Sequence, residues 1–182
     1  FQEVYATDIS QKQLDQAIQK DNIQYSVQAA ETAQFPTNHF DLITVGQAIH
    51  WFDHKRFYTK VEDCLRPNGI LAEFGYQLFR TDEAVNQIVD HFYHELIGPY
   101  WDAERRHIDD AYARLPFPFQ MISTPDLSMQ YEWSLEQTLG YLTTWSSVQH
   151  YRKAKGHDPV ALIQEDLVQA WGDSPTKAIN FR

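Results

Sequence analysis

The apolar residues of the first 76 positions fall into short runs separated by polar stretches of helical length. EVYAT (3–7) is a short strand-like run, and Ser10 is a suitable N-cap for a helix over 11–20. IQYSVQA (23–29) is a second strand, followed by a loop around Pro36. FDLITVGQ (40–47) is almost continuously apolar, as expected of a strand covered on both faces. A helix follows over roughly 53–65. RPNG (66–69) then supplies a turn, with Asn-Gly suited to left-handed backbone, before a fourth strand, ILAEFGY (70–76). Strands alternating with helical stretches of this length predict βαβ units and a mainly parallel sheet.

Beyond residue 80 the pattern changes. Val85, Ile88, Val89, Phe92, Leu96 and Ile97 mark a helix over 81–97. The stretch 98–119 is aromatic and broken by Pro99, Pro116 and Pro118, which oppose a long regular element. It reads as an insertion that could cover a site as a lid. LSMQYEW (127–133) is a strand, Ser134 caps a helix to about 144, and 158–171 form another helix. The closing TKAINFR has the character of a strand that has only begun. With no repeat and no low-complexity segment, one domain over 1–182 is expected, with 1–76 as its binding core.

Composition narrows the function classes. The 182 residues suffice for a sizeable core, and 43% hydrophobic with 22% charged residues is an ordinary globular balance. A formal net charge of −10 argues against nucleic acid or an anionic membrane surface as partner. The single cysteine, Cys64, cannot form an internal disulfide, so a reducing cytoplasm is the expected compartment.

Candidate chemistry lies at the carboxyl ends of the strands, where open α/β sheets bind their ligands. Those ends are Asp8, then Ala30 and Glu31, then Gln47 and His50, then Gly75 and Tyr76. An acid directly after a strand can accept both hydroxyls of a ribose. The structural alternative for Asp8 is an acid favoured by the dipole at a helix N-terminus. The run VGQAIHWFDHKRF (45–57) is the least ordinary of these ends, since an apolar strand stops in a glutamine, a histidine and two bulky aromatics.

VYATDIS, QAAETAQFPTNHFDLITVGQAIHWFD and LRPNGILAEFGY, within residues 4–76, resemble class I S-adenosylmethionine-dependent methyltransferases of the small-molecule type, the group that includes trans-aconitate methyltransferases. LPFPF and YLTTWSSVQHYRKAKGHDP extend the similarity weakly over the rest. The resemblance implies an α/β, Rossmann-like, mostly parallel sheet with flanking helices and an aromatic helical insertion, incomplete at both ends. It implies that Asp8 binds the ribose of S-adenosylmethionine with Ile9 beside the adenine. Ala30 and Glu31 would hold the adenine and its amine, and Gln47 would lie beneath the methionine portion. His50 and Trp51 would border the methyl-transfer site facing a small organic acceptor, with His50 touching the acceptor's polar group. The family's glycine-rich loop is absent from the sequence, so the chain is expected to bind the cofactor more weakly than a longer form. The alternative is a truncated or degenerate methyltransferase-like domain that acts only as a binding module. A dinucleotide oxidoreductase shares the ribose-binding acid but has no hydride-transfer partner here.

The remaining polar clusters have structural readings of greater weight. His91, His94 and His107 with Glu95, and His50 with His54, match no zinc spacing, so no metal is expected. Cys64 reads as a small buried hydrophobe. AERRHIDD (103–110) reads as a salt-bridged helix face, with a grip by Arg105 or Arg106 on an acceptor carboxylate as its functional alternative.

Overall fold

The computed structural model describes residues 1–182. Its internal packing divides the chain into two compact units, where the sequence reading has one domain. The first comprises Phe1–Gly75 with Leu115–Gln120, and the second Tyr76–Arg114 with Met121–Arg182.

In the first unit β1 (Val4–Asp8) pairs in parallel with β2 (Ile23–Val27). The helix expected over 11–20 shrinks to α1 (Gln11–Leu14). α1 buries no side chain, and Ile18 is left exposed, so tertiary packing does not support further turns. β3 (Phe40–Gly46) pairs in parallel with β4 (Leu65–Phe74). The expected turn at 66–69 is absorbed into β4 as an irregularity, where pairing passes from Phe40–Leu65 to Leu42–Ile70. Asn68 takes the positive φ of 66° expected of the Asn-Gly pair. α2 (His54–Cys64) is capped by Asp53, whose Oδ1 accepts from the Arg56 amide at 3.2 Å. Its inner face carries Phe57, Tyr58, Val61 and Cys64, a spacing that keeps them on one side of the helix.

The parallel pairing is as expected, but the single sheet is not. β1–β2 and β3–β4 are separate two-stranded sheets. A cavity of about 430 Å³ is lined by all five residues Val4–Asp8 and by Leu42–Gly46. Side chains alternate across a strand, so a sheet face would contribute every second residue. Consecutive residues mean that strand edges form the walls, and the cavity is a slot along β1 and β3.

The second unit holds the dense core. α3 (Glu83–His91) continues through a π-helical turn at Phe92–Leu96, in agreement with the helix expected to 97. Short 3-10 turns at Gly98–Tyr100 and Ala103–Arg105 and the single-turn α4 (Arg106–Asp109) follow. No long element forms among the prolines, and the stretch is divided between the units after Arg114. β5 (Met129–Trp133) runs antiparallel to β6 (Lys177–Phe181), so the closing stretch is a full five-residue strand. α5 (Leu135–Thr143) starts in a capping box made by Ser134 and Gln137. α6 (Ser146–Lys155), unexpected from the sequence, ends at left-handed Gly156 with φ 78°. A 3-10 turn at Pro159–Leu162 leads into α7 (Gln164–Trp171). Phe79, Val89, Phe92, Leu142, Leu167 and Ile179 are all fully buried in this core. No helix is long and apolar enough to cross a membrane.

Candidate functional site

The strand ends of the first unit carry the candidate residues. Asp8 closes β1 and is half-buried; its Oδ1 accepts from the Ser10 amide at 2.7 Å. That bond closes an Asx-type turn and fixes the carboxylate at the mouth of the slot, which Asp8 lines. Ile9, next in sequence, is 76% exposed.

After β2 the chain turns at 29–32, where the Thr32 amide donates to the Ala29 carbonyl at 3.1 Å. Ala30 also lines the slot. Glu31 reaches across 22 positions: its Oε1 accepts from the Asp53 amide at 3.0 Å. One carboxylate thus ties the β2 loop to the cap of α2. It fixes the spacing between these two segments.

The end of β3 is strained. Gln47 adopts φ 52°, a left-handed conformation uncommon for a side chain of this length. Its amide donates to the Phe74 carbonyl at 2.8 Å, which extends the β3–β4 ladder one step past Gly46. Strain of this kind persists only where the surroundings over-determine it, and it concentrates at ligand sites. Gly46 beside it is pressed against the Phe74 ring, whose nearest carbon would lie 3.0 Å from an added Cβ.

The chain then makes a 3-10 turn, Ile49–Trp51, which answers why the strand ends in bulky residues. Ile49 and His50 turn inward, to 0% and 5% exposure, while Trp51 stands 53% exposed. The two rings remain neighbours at 5.1 Å between centroids, inclined by 43°. Of the pair, Trp51 presents its surface to solvent and His50 is buried. Behind the turn, His54 Nε2 lies 3.1 Å from the Ile49 carbonyl oxygen.

Other candidates lie elsewhere. Arg105 belongs to the second unit: its Nε donates to the Tyr93 hydroxyl at 2.8 Å, and its guanidinium stands 4.7 Å from the Trp101 ring centre. Tyr93 in turn donates to Asp109 at 2.6 Å, and burial pushes its own phenol pKa up. His91 pairs with Glu95 at 3.1 Å on one helix, while His94 stands edge-on to Tyr93. Cys64 is buried, and burial raises its thiol pKa, which suits a packing role.

The sequence reading missed Tyr58 and Glu73, which meet next to this site. Tyr58 is visible in the sequence only as one more apolar position of α2. Glu73 is the lone acid within the apolar run of β4, and that interruption is the signal that could have drawn attention to it.

The fixed carboxylate after β1 and the strained end of β3 lie at the carboxyl ends of parallel strands, where open α/β sheets bind their ligands. The slot itself runs between two unpaired strand edges, β1 and β3, which is the geometry of a strand position rather than of a ligand pocket. Comparison with known proteins agrees. The family described as a methyltransferase domain matches residues 1–72. A candidate methyltransferase of Dictyostelium discoideum is 34% identical over 188 residues, spanning 100% of this chain and 72% of that protein. The solved structure of a candidate type II methyltransferase from Anaeromyxobacter dehalogenans superposes with a TM-score of 0.89 at 36% identity, covering 100% of this chain and 77% of that one. A candidate methyltransferase from an antibiotic biosynthesis pathway of Anabaena variabilis shares the fold alone, with a TM-score of 0.53 at 12% identity over 97% of this chain and 80% of that one. The chain belongs to the class I S-adenosylmethionine-dependent methyltransferases, and its α/β fold is that of the family.

Proposed function

We propose that the protein transfers the methyl group of S-adenosylmethionine to a small organic acceptor, in the cytoplasm. The observation that carries this reading is that Asp8, the Glu31–Asp53 tie and left-handed Gln47 each lie at or past the end of a strand of one unit, the position at which α/β sheets hold their ligands. Asp8 would accept the ribose hydroxyls, an assignment its fixed carboxylate supports. Ala30 and Glu31 would flank the adenine, with Ile9 closing over it from its exposed position. Gln47 would meet the methionine portion. When bound, S-adenosylmethionine supplies an electrophilic methyl group on a sulfonium.

The exposed face of Trp51 suits that cationic neighbourhood, because a ring quadrupole attracts positive charge. Holding the acceptor in line beside it supplies rate through positioning, which requires no metal. His50, buried behind Trp51, would orient the turn and meet the acceptor's polar group from beneath.

The test is S-adenosylhomocysteine formation, followed by mass spectrometry, across a panel of small carboxylic acids, amines and phenols. Turnover with one class, reduced at least ten-fold by Trp51→Ala with cofactor affinity retained, is the expected result. Turnover unaffected by Trp51→Ala would move the transfer site away from the Ile49–Trp51 turn.

A further inference from the structure

Within the first unit a short strap is anchored on Tyr58. Leu115–Gln120 belongs to this unit although the sequence on both sides of it does not. The Tyr58 hydroxyl donates to the Pro116 carbonyl at 2.7 Å. The Tyr58 ring also meets Phe117 and Phe119 edge-on, at 6.2 and 5.7 Å between centroids. On its other side Tyr58 stacks on His54 at 6.3 Å with 23° between planes, and His54 reaches the Ile49 carbonyl. The strap anchor therefore abuts the turn that presents His50 and Trp51.

Glu73 lies against the same hydroxyl. Its Oε2 is 3.5 Å from the Tyr58 oxygen, too far for a good O–H···O bond, and its Oε1 is buried with no hydrogen-bond partner. A phenol has one proton, and here the Pro116 carbonyl takes it. An ionised carboxylate in this place would have neither a donor nor a counter-charge. The strap carries no ionisable side chain, the β3 residues paired around Glu73 are Thr44, Val45 and Gly46, and α2 contributes Tyr58 with His54 stacked upon it. The arrangement fits the neutral acid.

We propose that Glu73, Tyr58 and Leu115–Gln120 form a proton-operated latch, docked while Glu73 is neutral and released when it ionises. On ionisation the nearest available proton is that of Tyr58. Rotation of the hydroxyl about its C–O bond turns that proton to Glu73 and leaves the Pro116 carbonyl without its donor. Ionisation breaks the Glu73 O–H bond and passes its proton to solvent; the rotation itself changes no covalent bond. Burial raises the Glu73 pKa above the ordinary carboxylate value, with the Tyr58 contact opposing it. A group whose pKa is raised in the docked state favours docking below its ordinary pKa. That preference is lost as pH rises through the raised value. The latch is closed in acid and opens toward neutral pH.

The inference stands on the geometry of this unit and does not depend on the proposed reaction. It is tested by NMR of the protein carrying ¹³C-carboxyl glutamate and ¹³C-ring phenylalanine, titrated from acid to neutral pH. Glu73 should titrate above the ordinary carboxylate range, and the Phe117 and Phe119 ring signals should move with the same midpoint. In Glu73→Gln, which stays neutral, the rings should hold their docked shifts throughout; in Tyr58→Phe they should sit at the released shifts even in acid. Ring signals indifferent to the Glu73 titration would overturn the latch, as would Glu73 titrating in the ordinary range. So would an unchanged ring midpoint in Glu73→Gln, or docked rings in acid in Tyr58→Phe.

Discussion

In the first unit the strands leave most of their residues half-buried or exposed, and the buried side chains are largely those of α2 and the Ile49–Trp51 turn. Its two sheets open onto a slot. In the second unit, Phe79, Trp133, Tyr141 and Phe181 interlock edge to face around fully buried aliphatic residues. Phe92 and Tyr93 pack on Trp145, and Tyr141 has its phenol pKa pushed up to about 12, chiefly by burial. The strand-end candidates are in the loosely packed unit, and the densest packing is in the other. The second unit has its own polar cavity of about 690 Å³, lined by residues that include Arg80, Tyr93, Asp109 and Arg182, so the contrast lies in the packing of the cores and not in the presence of open space. If the candidates of the first unit bind the ligand, mutations in the two units should separate stability from binding.

Core truncation should give the largest contrast. Phe92→Ala, at a fully buried ring, should destabilise the protein by about 3–5 kcal/mol in urea unfolding. Phe57→Ala should cost only about 2 kcal/mol, because its ring borders the slot and the cavity it leaves merges with existing space. Equal losses would contradict the difference in packing between the two units. The smallest effect is expected at the end of β3. Left-handed backbone costs a non-glycine residue roughly 1–2 kcal/mol. Glycine returns about 0.5–1 kcal/mol of that as chain entropy. Gln47→Gly should thus raise the unfolding free energy by about 0.5 kcal/mol while weakening S-adenosylhomocysteine binding in calorimetry. Lower stability would show that no strain is stored there.

The same contrast explains what could be read in advance. β1 to β4 were legible because strands of a parallel α/β core are near-continuous apolar runs bounded by turn residues, and each was placed to within a few residues. α1 fell short because its expectation rested on Ser10 as N-cap, which makes no capping bond, and the following residues find nothing to pack against; Ile18 is 74% exposed. α6 was missed for the opposite reason. Its sequence, SSVQHYRKAK, has little apolar periodicity, yet Ser147 and Val148 are buried, so tertiary contact decides what pattern could not. The prolines of 98–119 correctly barred a long element, but the division after Arg114 depends on Tyr58, 58 positions from Pro116. Likewise the strand-end positions of Asp8, Ala30 and Gln47 could be read from sequence. The tie from Glu31 to Asp53, the inward turn of His50 and the positive φ of Gln47 arise only when distant segments meet.

The central claim is that the cofactor is held in the first unit, at the end of β1. Its most direct test is isothermal titration of S-adenosylhomocysteine into the protein and into Asp8→Ala, with thermal unfolding measured alongside. Loss of hydrogen bonds to a charged group predicts a penalty of about 1.5–3 kcal/mol, roughly ten- to over a hundred-fold in Kd. The unfolding transition should be nearly unchanged, since Asp8 is not a core residue. Unchanged affinity in a folded Asp8→Ala protein would contradict the claim and place the ribose elsewhere.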